Sequence, residues 1–146
     1  MRRNERGASL VELMIVIGLV GLMAGLAGES FGSAASHYKG KGMAVELAAE
    51  LREARYLALV RGERVRVVFD TGRMTIRTEP ADRPNETIRE YTYQGKNVAF
   101  ERLPSGPSLL FYPSGRTATP ATIILRNGQS ERWQITVSLT GRVSLS

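Results

Sequence analysis

The 146-residue sequence contains no cysteine. Disulfides, thiolate metal sites and cysteine nucleophiles are therefore excluded. There is a single histidine, His37, so any catalytic arrangement built on imidazole would have to use it. It lies between an apolar segment and Tyr38-Lys39-Gly40-Lys41-Gly42, with no partner in sight, and reads as a solvated interfacial residue. The carboxylates are scattered and form no dyad. No glycine-rich loop stands between a strand and a helix, where it would cradle phosphate. Nothing here supports catalysis, a metal site or a cofactor, and the chain is not expected to be an enzyme. Acids are scarce in the last third: from residue 102 onward Arg102, Arg116, Arg126, Arg132 and Arg142 face Glu131 alone. Such an excess attracts phosphate polymers or anionic headgroups, or simply keeps a surface solvated.

Charge is also missing from residues 8–28, where Glu12 is the sole exception. As a helix this segment would span about 30 Å, the thickness of a bilayer's hydrocarbon core. The basic residues 1–7 would hold that end in the cytoplasm and leave the bulk of the chain across the membrane. Three readings compete: an ordinary signal peptide with a passable small-residue site at Gly25-Leu26-Ala27, a plain single-span anchor or adapter, and a signal cut before the apolar helix. Glu12 discriminates among them. A carboxylate in a membrane helix is costly and has a function, and the first two readings give it none. Cutting after Gly7 creates an ammonium at Ala8, four residues before Glu12. In a bundle of such helices one subunit's Glu12 pairs with a neighbour's Ala8 ammonium, the condition under which buried charge is tolerated. The pair would set axial register, as buried polar residues do in coiled coils.

Arg6-Gly7-Ala8-Ser9-Leu10-Val11-Glu12 resembles the type IV prepilin cleavage motif: Gly before the cut and Glu at the fifth position after it. Members usually begin with Phe or Met after the cut, where this chain has Ala8. The resemblance implies cleavage between Gly7 and Ala8 by prepilin peptidase and N-methylation of Ala8 by the same enzyme. Gly18, Gly21, Gly25, Gly28 and Gly32 recur every three or four residues, a spacing that lets helices approach closely in lipid and also weakens the helix.

Residues 29–62 continue as an amphipathic helix with Leu47, Leu51, Ala54 and Ala58 on one stripe. Gly40 and Gly42 are expected to bend or interrupt it. Residues 63–146 have β texture. Strands are expected at 65–69, 74–78, 87–93, 97–102, 109–112, 122–126, 132–139 and 142–145, with a loop at 79–86 and a turn at 103–107. Asp70-Thr71-Gly72-Arg73, Asn127-Gly128 and Thr140-Gly141 read as hairpin turns. The fold class is α+β: a long N-terminal helix, its first half transmembrane, then an antiparallel β domain as a sheet or small sandwich. Phe111-Tyr112-Pro113-Ser114-Gly115-Arg116 reads as a strand end entering the core and turning. Trp133 reads as core.

Several stretches are similar to the GspH/FimT family of minor pilins and pseudopilins: Glu50-Leu51-Arg52-Glu53-Ala54-Arg55 running into the strand at 65–69, then Phe111-Tyr112-Pro113-Ser114-Gly115, then Ile135-Thr136-Val137-Ser138 and Gly141-Arg142-Val143. The resemblance implies a structural subunit of a type IV pilus or type II secretion pseudopilus. It would be held in the bacterial inner membrane by one span with its globular domain periplasmic, and then packed with other pilins in a filament through Glu12. For some members it also implies DNA as a partner, through arginines near the C-terminus. Arg142 stands at that place, with Ser144 at the next alternate position, and Arg116, Arg126 and Arg132 are the other candidate nucleic-acid contacts.

Overall fold

The computed structural model describes residues 9–106 and 108–146, with side chains other than those of residues 27–31. The predicted processing residues Gly7 and Ala8, and Pro107 at the end of the predicted turn, lie outside the described residues. The chain divides into two units, Met1–Ala35 and Ser36–Ser146.

Helix α1 (Leu10–Arg61) contributes to both units. It opens with the Leu13 amide donating to the Ser9 carbonyl at 3.0 Å. Glu12 in the first turn and Arg61 in the last complement its macrodipole. It ends at Gly62, whose φ of +64° is the left-handed conformation that terminates helices. In the first unit the helix exposes apolar side chains on every face, from Leu10 to Leu26. Among the described residues no helix is long and apolar enough to cross a membrane; the run at 10–26 amounts to about 26 Å of helix.

In the second unit α1 buries Met43, Ala44, Leu47, Ala48, Leu51, Ala54 and Ala58. Leu47, Leu51, Ala54 and Ala58 fall three or four residues apart and form the stripe the sequence announces; Met43, Ala44 and Ala48 widen it. Of the bend or interruption expected at Gly40 and Gly42, the interruption does not occur: α1 is continuous through both. Gly40 is instead a packing residue: a Cβ there would lie 2.2 Å from the Trp133 indole. Ring contact compensates for its poor helix propensity.

Eight strands follow: β1 (Val65–Asp70), β2 (Thr75–Pro80), β3 (Arg89–Thr92), β4 (Val98–Arg102), β5 (Ser108–Phe111), β6 (Ala121–Asn127), β7 (Arg132–Val137) and β8 (Val143–Leu145). They form two antiparallel four-stranded sheets, ordered β3-β2-β1-β5 and β4-β6-β7-β8. Alternate residues point inward, as strand geometry requires. Val65, Val67, Phe69, Leu109 and Phe111 come from one sheet, Ile123, Leu125, Trp133, Ile135 and Val137 from the other, and all join the helix stripe in one core.

The expected loop at 79–86 starts two residues late, because Glu79 and Pro80 belong to β2. Glu79 lies opposite Arg66 in the β1–β2 register and accepts its guanidinium at 2.6 and 3.0 Å. The Asn85 amide donates to the other carboxylate oxygen at 3.3 Å, so a buried charge is matched on both sides. Strands expected at 87–93 and 132–139 are shorter at their ends. Of the hairpin glycines, Gly141 is left-handed (φ 76°), but Gly72 and Gly128 are not where the backbone turns that way. Met74 (φ 55°) and Ser130 (φ 65°) take that role beside Gly72 and Gly128. Asp70 and Asn127 set these turns: the Asp70 carboxylate accepts the Arg73 amide, and the Asn127 side-chain carbonyl accepts the amides of Gln129 and Glu131.

Candidate functional site

Glu12 sits in the first turn of α1, surrounded along the helix by exposed Leu10, Val11, Leu13, Met14, Ile15 and Val16. Among the described residues no hydrogen bond or ion pair engages its carboxylate. An isolated helix does not keep so much apolar surface in water; it needs lipid or other helices around it. Gly18, Gly21, Gly25 and Gly32 have nothing within 4 Å of a built Cβ, so the notches between these side chains are open to a partner.

In the second unit α1 is held along both flanks. On one flank its acids reach β3 and the turn after it. Arg89 donates to Glu50 at 3.1 Å and to Glu53 at 2.8 Å, while Glu46 accepts from Lys96 and Tyr91. Glu46 is consequently shifted below the ordinary carboxylate range, chiefly by the Lys96 hydrogen bond and then by Tyr91. On the other flank its arginines donate to backbone carbonyls: Arg55 to Gly115 in the β5–β6 loop at 3.0 Å and Arg52 to Val143 at the start of β8 at 3.3 Å. Gly141 fits against this seam, and a Cβ on it would lie 2.0 Å from the Gly115 carbonyl oxygen.

The candidate arginines divide. Arg126 and Arg132 are direct cross-strand partners, and Arg102 lies opposite Ile124 after the bulge in β4. Arg142 is hydrogen-bonded to Ser138 at the far end of β7. Alternation of side chains puts these four on the outer face of the second sheet, with Thr122, Gln134, Thr136 and Ser144 between them. Arg132 is spoken for by Glu101 at 2.8 Å. Arg102, Arg126 and Arg142 have no acidic partner among the described residues. Arg116 is not on this face; it sits in the β5–β6 loop, where its carbonyl accepts the Tyr112 amide. Phe111 just before it is fully buried, and Tyr112 is partly exposed. The volumes at hand are shallow. One, of about 420 Å³, opens at one end of the sheets with the charged side chain of Arg126 in its lining.

Residues 43–141 match the family described as type II transport protein GspH. The chain belongs to the GspH family. Its residues 2–28 match the prokaryotic N-terminal methylation motif. The fold is similar to that of the type IV minor pilin FimU of Pseudomonas aeruginosa strain PAO1, with a TM-score of 0.65 and 16% identity over 75% of this chain and 90% of that one. It is also similar to the minor pseudopilin EpsH of the type 2 secretion system of Vibrio cholerae, with a TM-score of 0.57 and 20% identity over 74% of this chain and 96% of that one. At these identities the likeness is one of fold. No protein of curated function matches the sequence. Family and motif together make this GspH-family chain a pilin-type structural subunit, of a kind that assembles with other pilins in a filament.

The GspH-family domain also has contacts that sequence reasoning passed over. His37 has a partner: its Nδ1 lies 3.0 Å from the Glu131 carboxylate. Its ring centroid is 5.8 Å from that of Trp133. Neither Glu131 nor Trp133 was legible as a neighbour, because each stands more than ninety residues along the chain from His37. Trp133 is buried, as expected of a core residue.

Proposed function

We propose that this chain is made as a precursor, cut by prepilin peptidase between Gly7 and Ala8 and N-methylated at Ala8. Its helix over residues 8–28 holds it in the bacterial inner membrane, with the β domain periplasmic. It then packs with other pilins or pseudopilins, in a type IV pilus or a type II secretion pseudopilus. The observation that carries this reading is Glu12, the one charge within residues 8–28, set among exposed apolar side chains. Its carboxylate becomes affordable once a neighbour's Ala8 ammonium meets it in the apolar bundle. Membership of a family of filament subunits supports the same reading.

The test is the intact mass of the protein purified from its native membrane. The expected mass lacks residues 1–7 and carries one additional methyl group. A full-length mass would leave a plain single-span anchor as the better reading. A mass starting near Gly28 would make it an ordinary secreted protein.

A second reading has its own observation. Arg102, Arg126 and Arg142 have no acidic partner among the described residues and share one sheet face, where Glu101 neutralises only Arg132; this suits a polyanion and supports DNA as a ligand of the assembled subunit. Full-length protein in micelles should retard duplex DNA at low salt. Replacing Arg126 and Arg142 with Ala should lower the salt slope of the affinity by about 2. No retardation at low salt would remove DNA from the list of partners.

A further inference from the structure

The helix turn at residues 37–40 meets the β6–β7 hairpin through an unusual contact. Gly40 lies directly on the Trp133 indole, close enough that a Cβ would fall 2.2 Å from Cη2 and 2.3 Å from Cζ3. Three residues earlier, one helical turn away, His37 meets Glu131 at 3.0 Å. The imidazole sits beside the same indole, and Tyr38, the next residue on the helix, packs edge-on to the imidazole at 5.9 Å. Ring packing and a charge contact thus hold one turn of helix to one hairpin.

The turn has little else to hold it. Gly40 and Gly42 both lower helix propensity, and Gly42 has nothing within 4 Å of a built Cβ. The buried apolar stripe of α1 begins only at Met43. The charged neighbours are few and mostly engaged elsewhere. On α1, Lys39 and Lys41 flank the imidazole along the chain, and the next acid, Glu46, is taken by Lys96 and Tyr91. On the hairpin, Arg132 turns away to Glu101. Glu131 is the acid that faces His37, and its other oxygen accepts the Asn127 amide at 2.7 Å.

We propose that His37, Glu131, Gly40 and Trp133 form a proton-operated latch, which docks the helix turn at 37–40 on the β6–β7 hairpin when His37 carries its proton and loosens when it does not. The protonated imidazole makes an ion pair with Glu131. The neutral ring keeps at most an uncharged hydrogen bond, and in one of its two tautomers Nδ1 has no proton to donate. Glu131 is held below the ordinary carboxylate range, first by the His37 hydrogen bond and then by Asn127. Its share of the docking is therefore present above the ordinary carboxylate range and lost as pH falls through the lowered value. Both partners are half exposed, so solvent screens the pair and the latch is graded.

The chain has one tryptophan and one histidine, so both sides of the latch can be followed without interference. Acrylamide quenching of Trp133 in the full-length protein in micelles reports whether the helix covers the ring. Raising the pH from about 5.5 to about 8 should increase the quenching constant roughly twofold. His37→Gln should give a flat profile at the higher, open level, and Glu131→Gln a shallower step. Gly40→Ala should be open at every pH; if that variant does not fold, His37→Gln still decides. A flat wild-type profile, or a step that survives His37→Gln, overturns the latch. Neither outcome bears on processing at Gly7, which the intact mass reads separately.

Discussion

Glu12→Val is expected to leave the protein membrane-inserted and cut at Gly7, yet nearly absent from filaments. The variant is more apolar and keeps the helix, so insertion is not weakened. On the proposed pairing, what it loses is the partner for a neighbour's Ala8 ammonium, and that ammonium would stand uncompensated in the apolar bundle. Breaking one side of a buried pair costs about 3–5 kcal/mol, a factor of at least about a hundred in association. The measurement is the ratio of mature protein in the sheared filament fraction to that in the membrane fraction, with Glu12→Asp as the conservative comparison. Normal incorporation of Glu12→Val would sink the pairing argument while leaving the processing argument intact.

The largest stability effect is expected at Gly141. Its φ is +76°, so any side chain there is strained. An alanine Cβ would also overlap the Gly115 carbonyl oxygen at 2.0 Å and crowd Arg55 at 2.9 Å. That carbonyl cannot move freely, because it accepts Arg55 Nε at 3.0 Å. The loop is further stitched to the β7–β8 turn by Thr117, whose amide donates to Leu139 and whose hydroxyl donates to Ser138. Gly141→Ala should destabilise the domain by about 3 kcal/mol or more, as strain and a lost buried hydrogen bond combine. A urea unfolding midpoint checks it. Gly128→Ala is the contrast: its Cβ would meet only the Asn97 side-chain amide at 3.1 Å, and a loss under about 1 kcal/mol is expected. Equal midpoints for the two variants would mean that the β5–β6 loop yields.

Much of this architecture was legible because it rests on local regularities. Leu47, Leu51, Ala54 and Ala58 repeat with the helical period and are all buried. The strand positions follow from alternation, and β1, β4, β6 and β7 start within one residue of expectation. Where the reading failed, a distant partner had overruled a local preference. Gly40 and Gly42 lower helix propensity, yet Trp133 supplies a surface on which the turn at Gly40 can rest. Glu79 and Pro80 read as loop, yet Arg66 across the ladder and the Asn85 amide keep them in the strand. Local chemistry could also mislead on its own. The sequence Asn127-Gly128 points to a left-handed glycine, but the Asn127 side chain captures two amides and moves that conformation to Ser130.

The candidate site divides along the same line. Glu12 was singled out as a charge set in an apolar run, which needs no tertiary information; Gly7 and Ala8 came from the resemblance to the prepilin cleavage motif and lie outside the described residues. The arginines were counted correctly but could not be arranged. Four of them share the outer face of one sheet only because β4, β6, β7 and β8 pair in that order, and Arg116 lies apart from them in the β5–β6 loop.

By itself, then, the sequence determined that there is a long apolar-then-amphipathic helix, an antiparallel β domain, and one acid near the helix start. Periodicity and desolvation cost act within a few residues and leave their mark on the order of amino acids. Tertiary structure alone decided that His37 faces Glu131, that Gly40 carries the Trp133 ring, that Gly141 nests on Gly115, and which arginines stand together. Those contacts join residues tens of positions apart, and their energies arise only once the sheets and helix have closed on a common core.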